Sequence, residues 1–183
     1  YSPHEREMRR YGRPSIGSGL VFPISEDDIM IDPIRIEDHW PRIAAIDFGW
    51  DHPTALVWCA VDNESETFYI YDCYRASKAS PTVHAQNIRM RPHFIPIAYP
   101  HDGNRRDSMG NPGLADQYRN LGCNFMLQHF TNPPALGTDK GSNSIEEGLM
   151  AMLQKVEAGK FKVFNTLGDW FEEFRMYHRK DGK

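Results

Sequence analysis

Two aspartates, Asp47 and Asp102, each follow a short apolar run. Asp47 ends the run 42–47 (RIAAID), and Asp102 comes shortly after 96–99 (PIAY). If these runs form neighbouring strands, the two carboxylates converge and repel each other unless a cation lies between them. Such hard oxygen ligands suit Mg²⁺ or Mn²⁺. The pair therefore predicts a metal site, whereas each aspartate taken alone is more typical of an ordinary turn residue.

Several basic side chains could bind phosphate near this pair. Arg105 and Arg106 closely follow Asp102 and could hold a phosphate by bidentate hydrogen bonds. Lys140, in a loop rich in proline and glycine, could contact a phosphate or be a solvated surface lysine. Weaker candidates, for which turn or surface positions are the alternative, are His52, His101, Asp51, Asp107 and the basic cluster 9–13.

The hydrophobic pattern predicts an α/β domain that would place both aspartates at strand ends. Three strand-like runs joined by tight turns, at 42–47, 54–61 and 67–74, predict an antiparallel meander. Strands and helices then alternate, with helices near 81–91, 113–121, 144–159 and 167–179 and strands at 96–99, 124–128 and 161–164. This order predicts a mixed central sheet with helices on both faces. In such sheets, functional groups gather at the carboxyl ends of strands.

Length and composition limit the class of protein. The 183 residues fit one domain at 41–183, preceded at 1–40 by a proline- and glycine-rich linker that is expected to pack through residues 20–22. No run approaches the ~18 apolar residues of a membrane span. Three cysteines without CxxC spacing argue against a zinc or disulfide scaffold. With 21 basic and 25 acidic residues, the net charge of −4 argues against non-specific adhesion to nucleic acid.

Several motifs together resemble one known family. They are the run 46–49 (IDFG) with 53–55 (PTA), then 71–74 (YDCY), 101–103 (HDG) and 140–142 (KGS). They look like the C-terminal nuclease domain of the large terminase subunit of tailed bacteriophages, over about residues 15–183. The resemblance implies a ribonuclease H-like fold, with residues 1–40 as the linker from an ATPase domain. The chain has no GxxxxGK[ST] phosphate loop, so no ATPase activity is expected from it.

The resemblance also implies an activity and a site. It implies a metal-dependent endonuclease that cuts concatemeric viral double-stranded DNA, at the initiation and termination of packaging, by two-metal hydrolysis with Mg²⁺ or Mn²⁺. Asp47 matches the first carboxylate of the family's triad, which bridges the ions, and Asp102 matches the second. The third carboxylate is expected beyond Lys183, since neither Asp169 nor Asp181 is assigned. Arg105, Arg106 and Lys140 remain the candidates for DNA contacts.

The implied partners and location follow from the same resemblance. The expected partners are double-stranded DNA, the ATPase domain in cis, the small terminase subunit and the portal protein, without a membrane. The expected location is the host cytoplasm, at the procapsid portal during packaging and not in the mature virion.

Two other interpretations remain open at this stage. An Asp-x-Gly turn followed by a Thr-Ala strand also occurs in the actin and sugar-kinase superfamily, where this hairpin binds ATP phosphates. The other interpretation is a non-catalytic module that docks to DNA or to the portal. Nucleotide binding would favour the first, and metal-dependent DNA cleavage would exclude the second.

Overall fold

The computed structural model describes residues 24–105, 110, 112–134 and 141–177. Within these residues the strands are β1 (Met30–Ile31), β2 (Arg42–Asp47), β3 (Thr54–Asp62), β4 (Thr67–Ala76), β5 (Ile97–Ala98) and β6 (Phe161–Phe164). The α-helices are α1 (Glu26–Ile29), α2 (Pro81–Ile88), α3 (Leu114–Asn120), α4 (Ile145–Glu157) and α5 (Gly168–Met176). A 3₁₀-helix spans His101–Asn104. None of the helices in the described part of the chain has the length and apolar character needed to span a bilayer.

The six strands form one mixed sheet in the order β1-β6-β4-β3-β2-β5. Strands β2, β3 and β4 pair antiparallel, which confirms the predicted meander. Strand β5 pairs parallel with β2, and β6 pairs parallel with both β4 and β1. Every strand except β3 therefore ends at the same side of the sheet. We call this side, where Asp47, Ala76 and Ala98 end their strands and Thr54 begins β3, the carboxyl edge.

Alternating side chains along the strands build a core on each face of the sheet. On β3, Trp58 faces a core shared with Ala85 of α2 and Tyr118 of α3. Its neighbour Val57 packs instead against the opposite core, which includes Phe171 of α5. This separation follows from the two-residue repeat of a strand. Helices therefore cover both faces, as the sequence pattern predicts.

The structure adds a strand that the sequence pattern does not predict. Strand β1 lies at the edge of the sheet beside β6, and the preceding Ile29 is fully buried. Arg175 of α5 donates two hydrogen bonds, of 2.6 and 2.9 Å, to the carboxylate of Glu26. A strand of two residues is too short to show periodicity, which explains why it was missed. The predicted packing of residues 20–22 lies outside the described residues.

The predicted strand at 124–128 is wrong. Only Phe125 forms a bridge, to Ile97 of β5, and no ladder continues from it. The Arg119 guanidinium donates hydrogen bonds to the carbonyl oxygens of Phe125 and Met126. These side-chain bonds occupy carbonyl groups that a longer strand would use for pairing. The short apolar run 125–127 is therefore misleading.

Candidate metal site at the carboxyl edge of the sheet

The fold brings Asp47 and Asp102 to the same place. Ala44 and Ala45 of β2 pair with Ile97 and Ala98 of β5, so the condition under which the two carboxylates converge is met. Asp47 is the last residue of β2, and Asp102 lies in the 3₁₀-helix that follows β5. The two carboxylates are close enough for the charge of Asp102 to act on Asp47.

The environment of Asp47 disfavours its negative charge. Burial raises the pKa of this carboxyl group above its ordinary value, and the charge of Asp102 raises the pKa further. A hydrogen bond from the backbone N–H of Phe48 opposes both effects. The residue as a whole remains exposed, so surrounding protein crowds the carboxylate while solvent can still reach it. A bound cation would relieve this unfavourable charge.

Replacing Asp47 by asparagine is expected to raise the Tm of the metal-free protein near neutral pH. The pKa of Asp47 is higher in the folded protein than its ordinary value of 3.8, so ionisation of this group opposes folding. The destabilisation is full above the raised pKa and disappears as the pH falls below 3.8. The Tm difference between variant and wild type should therefore be positive at about pH 7 and vanish at about pH 3.

This difference can be measured by calorimetry in the presence of chelator. Asp51→Asn makes the same chemical change four residues further along the chain, and we expect it to leave the Tm at neutral pH nearly unchanged. A lower Tm for Asp47→Asn at neutral pH would contradict the assigned repulsion.

A rigid turn follows Asp47. The buried hydroxyl of Thr54 donates a hydrogen bond of 2.9 Å to the carbonyl of Gly49 and accepts one of 3.2 Å from its N–H. A Cβ atom on Gly49 would lie 2.3 Å from the carbonyl oxygen of His52 and 2.7 Å from that of Pro53. Only glycine allows this close approach of backbone to backbone. The β2–β3 loop, residues 48–53, therefore closes tightly beside Asp47.

Close packing also fixes the turn that carries Asp102. The next residue, Gly103, is buried, and a Cβ atom on it would lie 2.7 Å from ring carbons of both Phe48 and Tyr99. A Cβ atom on Gly113, just before α3, would lie 2.7 Å from the carbonyl oxygen of Gly103. The residue after Asp47 thus packs directly against the residue after Asp102.

A partly buried hydrogen-bond network supports the same turn. The Tyr99 hydroxyl accepts a hydrogen bond of 2.9 Å from Nη2 of Arg119 and donates one of 3.0 Å to Oδ1 of Asn104. The amide Nδ2 of Asn104 lies 3.3 Å from Nδ1 of His129. The ring of His101 contacts that of His129, with 6.4 Å between their centroids. Sequence analysis missed Arg119, Tyr99 and Asn104, because their partners are set by tertiary packing.

The other predicted site residues divide into two groups. Arg105 is exposed directly after the 3₁₀-helix, and its backbone N–H donates a hydrogen bond of 2.9 Å to the carbonyl of Asp102. Asp169 lies in the first turn of α5, near Cys73 of β4, as expected for a helix-terminal acid. The predicted residues that fall outside the described part of the chain are Lys140, Arg106, Asp107 and the cluster 9–13, and the unassigned Asp181 lies outside it as well.

The described residues supply two carboxylates and no further ligand group. Among them, no three histidine, cysteine, aspartate or glutamate side chains form a cluster that could hold a metal ion. A third carboxylate beyond Lys183 stays a prediction. The arrangement of Asp47 and Asp102 can provide hard oxygen ligands at an accessible edge of the sheet.

Comparisons with known proteins point to one family. The family model "Terminase RNaseH-like domain" matches residues 44–183. The large terminase subunit of Salmonella phage P22 is 36% identical over 181 residues, which cover 99% of this chain and 35% of that protein. The chain thus spans about a third of the length of the curated relatives it matches.

Solved structures show the same fold. The P22 large terminase nuclease domain superposes with a TM-score of 0.79 at 34% identity, covering 91% of this chain and 83% of that domain. The large terminase nuclease of thermophilic phage G20c, solved with bound cobalt, superposes with a TM-score of 0.51. At 15% identity, covering 81% of this chain and 76% of that one, this likeness concerns the fold alone. This chain belongs to the terminase RNaseH-like domain family, and its fold is that of the nuclease domain of phage large terminase subunits.

Proposed function

We propose that this chain is a metal-dependent endodeoxyribonuclease domain that cuts concatemeric viral double-stranded DNA at the initiation and termination of genome packaging. One observation carries the proposal, namely that Asp47 and Asp102 meet at the carboxyl edge and interact electrostatically. Family membership and the likeness to the P22 nuclease domain support the reaction class. The cobalt of the G20c structure belongs to that protein, so the argument for a metal here rests on these two carboxylates.

The two carboxylates fit a divalent ion in their chemistry. Both offer hard oxygen atoms, and the charge of Asp102 disfavours that of Asp47 in the absence of a cation. We propose that Asp47 would help to hold both of two Mg²⁺ or Mn²⁺ ions and that Asp102 would help to hold one of them. Bound ions would supply Lewis-acid chemistry that activates water for attack on a phosphodiester and stabilises the leaving 3′ oxygen.

Basic side chains near the pair would hold the DNA backbone. Arg105 is exposed and follows Asp102 by three residues, so its guanidinium can donate hydrogen bonds to a phosphate near the cleavage site. Arg106 and Lys140 are proposed for the same role on sequence position. The net charge of −4 means that DNA affinity should be weak, salt-sensitive and assisted by the metal.

The proposed partners extend beyond this chain. They are double-stranded DNA as substrate, the ATPase domain in cis, the small terminase subunit and the portal protein. We propose that cleavage takes place in the host cytoplasm at the procapsid portal, and that this domain contributes no ATPase activity of its own.

Digestion of supercoiled plasmid tests the proposal. We expect the chain to nick and linearise the plasmid with Mn²⁺ or Mg²⁺, with little sequence preference, and to be inactive with excess chelator. Restoring the metal after chelation should restore cleavage, which separates inhibition from irreversible unfolding. A plasmid left intact at saturating Mn²⁺ would contradict nuclease activity in this chain. Micromolar binding of ATP would favour the kinase-like interpretation instead.

A further inference from the structure

The β2–β3 loop exposes a tryptophan beside the candidate metal site. Trp50 lies three residues after Asp47 and is 60% exposed. Trp58 on β3, by contrast, is 1% exposed in the core. Single exposed apolar side chains are common on protein surfaces, but Trp50 stands on a tight loop beside the candidate site, where a ligand of that site can cover the indole and gain free energy from its burial.

The backbone holds this tryptophan in a defined place. The N–H of Lys78 donates a hydrogen bond of 2.9 Å to the carbonyl of Trp50. The hydrogen bonds between Gly49 and Thr54 close the other side of the loop. The loop therefore passes over the start of β3 and reaches the end of β4, where Lys78 adopts a left-handed conformation with φ of 52°. An aromatic ring on a preorganised loop loses little conformational entropy when it binds a ligand.

Lys78, whose backbone N–H is bonded to Trp50, carries a positive charge at the same edge of the sheet. Its side chain is exposed, and none of the ion pairs among the described residues includes it. Because β4 and β2 are separated only by β3, and neighbouring strands are about 4.8 Å apart, Arg75 near the end of β4 lies roughly 10 Å from Asp47, and Lys78 follows Arg75 by three residues. Asp102 and Arg105 follow β5, on the opposite side of Asp47.

We propose that Trp50 and Lys78 form a stacking platform that binds unpaired nucleotides of the DNA strand beside the cleaved phosphodiester. This inference rests on the proposed function, which supplies DNA as the ligand. An indole face stacks on any base, while an ammonium group binds the adjacent phosphate without reading sequence. Paired bases hide their faces inside the duplex, so the platform engages a strand that is locally open. DNA would then contact the protein on both sides of Asp47, at Lys78 and at Arg105.

Fluorescence anisotropy of labelled DNA tests the platform. The chain is titrated in chelator, at low ionic strength, into a single-stranded oligonucleotide and into the fully paired duplex of the same sequence. Trp50→Ala should weaken single-strand binding by between about fivefold and a hundredfold, as expected for loss of one base stack. Duplex binding should change less than about twofold, since its base faces are covered.

Variants that keep part of the platform refine the test. Trp50→Phe retains an aromatic ring and should recover most of the single-strand affinity. Lys78→Gln retains an unbranched side chain at the left-handed position, and it should lower the slope of log affinity against log salt by about 0.7.

Phe94→Ala is the matched control. Phe94 is 61% exposed, nearly the same as Trp50, but it precedes β5 at the opposite side of the sheet, where it contacts Arg42 at the start of β2. It should leave single-strand binding unchanged. An unchanged affinity of Trp50→Ala, or an equal loss in Phe94→Ala, would overturn the platform, provided that thermal unfolding shows both variants folded.

Failure of the platform and failure of the proposed function are distinguishable. Binding is measured without metal, so it does not depend on cleavage. Metal-dependent plasmid cutting together with unchanged binding by Trp50→Ala would overturn only the platform. If the wild-type chain cuts no DNA but Trp50→Ala still weakens single-strand binding, the platform is supported and the nuclease proposal is overturned.

Discussion

Asp47→Asn and Asp102→Asn should each lower the rate of metal-dependent plasmid cleavage by about a thousandfold or more. Asparagine keeps the size of the side chain but removes the charge that holds the ion. Lewis-acid stabilisation contributes several kcal/mol to phosphoester hydrolysis, and each 1.36 kcal/mol changes the rate about tenfold. The measurement is the initial rate of nicking as a function of Mn²⁺ concentration.

The same chemical change elsewhere controls for a general loss of acidic charge. Asp169→Asn removes a carboxylate from the first turn of α5, where the negative charge interacts favourably with the helix dipole. Its cleavage rate should stay within about twofold of wild type, because such helix-end effects concern stability. Cutting by Asp47→Asn or Asp102→Asn at the rate of Asp169→Asn would rule out the assigned pair.

Gly49→Ala should destabilise the protein by about 1–3 kcal/mol, as overpacking of a closed site does. The added methyl group would lie 2.3 Å from the carbonyl oxygen of His52, which is part of the backbone and cannot rotate away. The β2–β3 loop would have to open, with loss of the Thr54 hydrogen bonds. Urea unfolding gives the free-energy change, and plasmid cleavage should fall as well because Asp47 leads into this loop.

Gly148→Ala makes the same substitution at a position where the added methyl group has room, and the expected effect has the opposite sign. Gly148 lies inside α4, and among the described residues a Cβ atom on it would meet only Oδ1 of Asn132, at 3.8 Å. Alanine should therefore stabilise the protein by about 0.5–1 kcal/mol through its greater helix propensity. Equal destabilisation by both variants would show that the close contact at Gly49 is not the cause.

The parts of the fold that sequence predicts are those with long, regular patterns. Strands β2, β3 and β4 are six to ten residues long, so their apolar runs stand out and place Asp47 at a strand end. Strand β1 is two residues long and leaves no such pattern. The segment 124–128 contains an apolar run of the kind seen in short strands, but Arg119 binds carbonyl groups within it. A local sequence pattern cannot reveal that a side chain from a helix will bind these carbonyl groups.

Of the candidate site, only the two aspartates could be predicted from the sequence. Asp47 and Asp102 were found because carboxylates at strand ends have a known chemistry. Their supports could not be found in this way, since Tyr99 and Arg119 are 20 residues apart and meet only after α3 packs on the sheet. Trp50 gave no signal either, because exposure of an aromatic residue depends on how its loop folds.

The position of β1 has a mechanical consequence. Residues before Ile24 connect to the sheet through α1 and β1, which are tied to β6 and, through Glu26, to Arg175. A pulling force on the residues before Ile24 would act first on the contacts that α1 and β1 make with β6 and Arg175. Four strand spacings, about 19 Å, separate β1 from β2, so the pull would be absorbed far from Asp47. We therefore expect force on the preceding chain to disturb the carboxylate pair less than it disturbs β1.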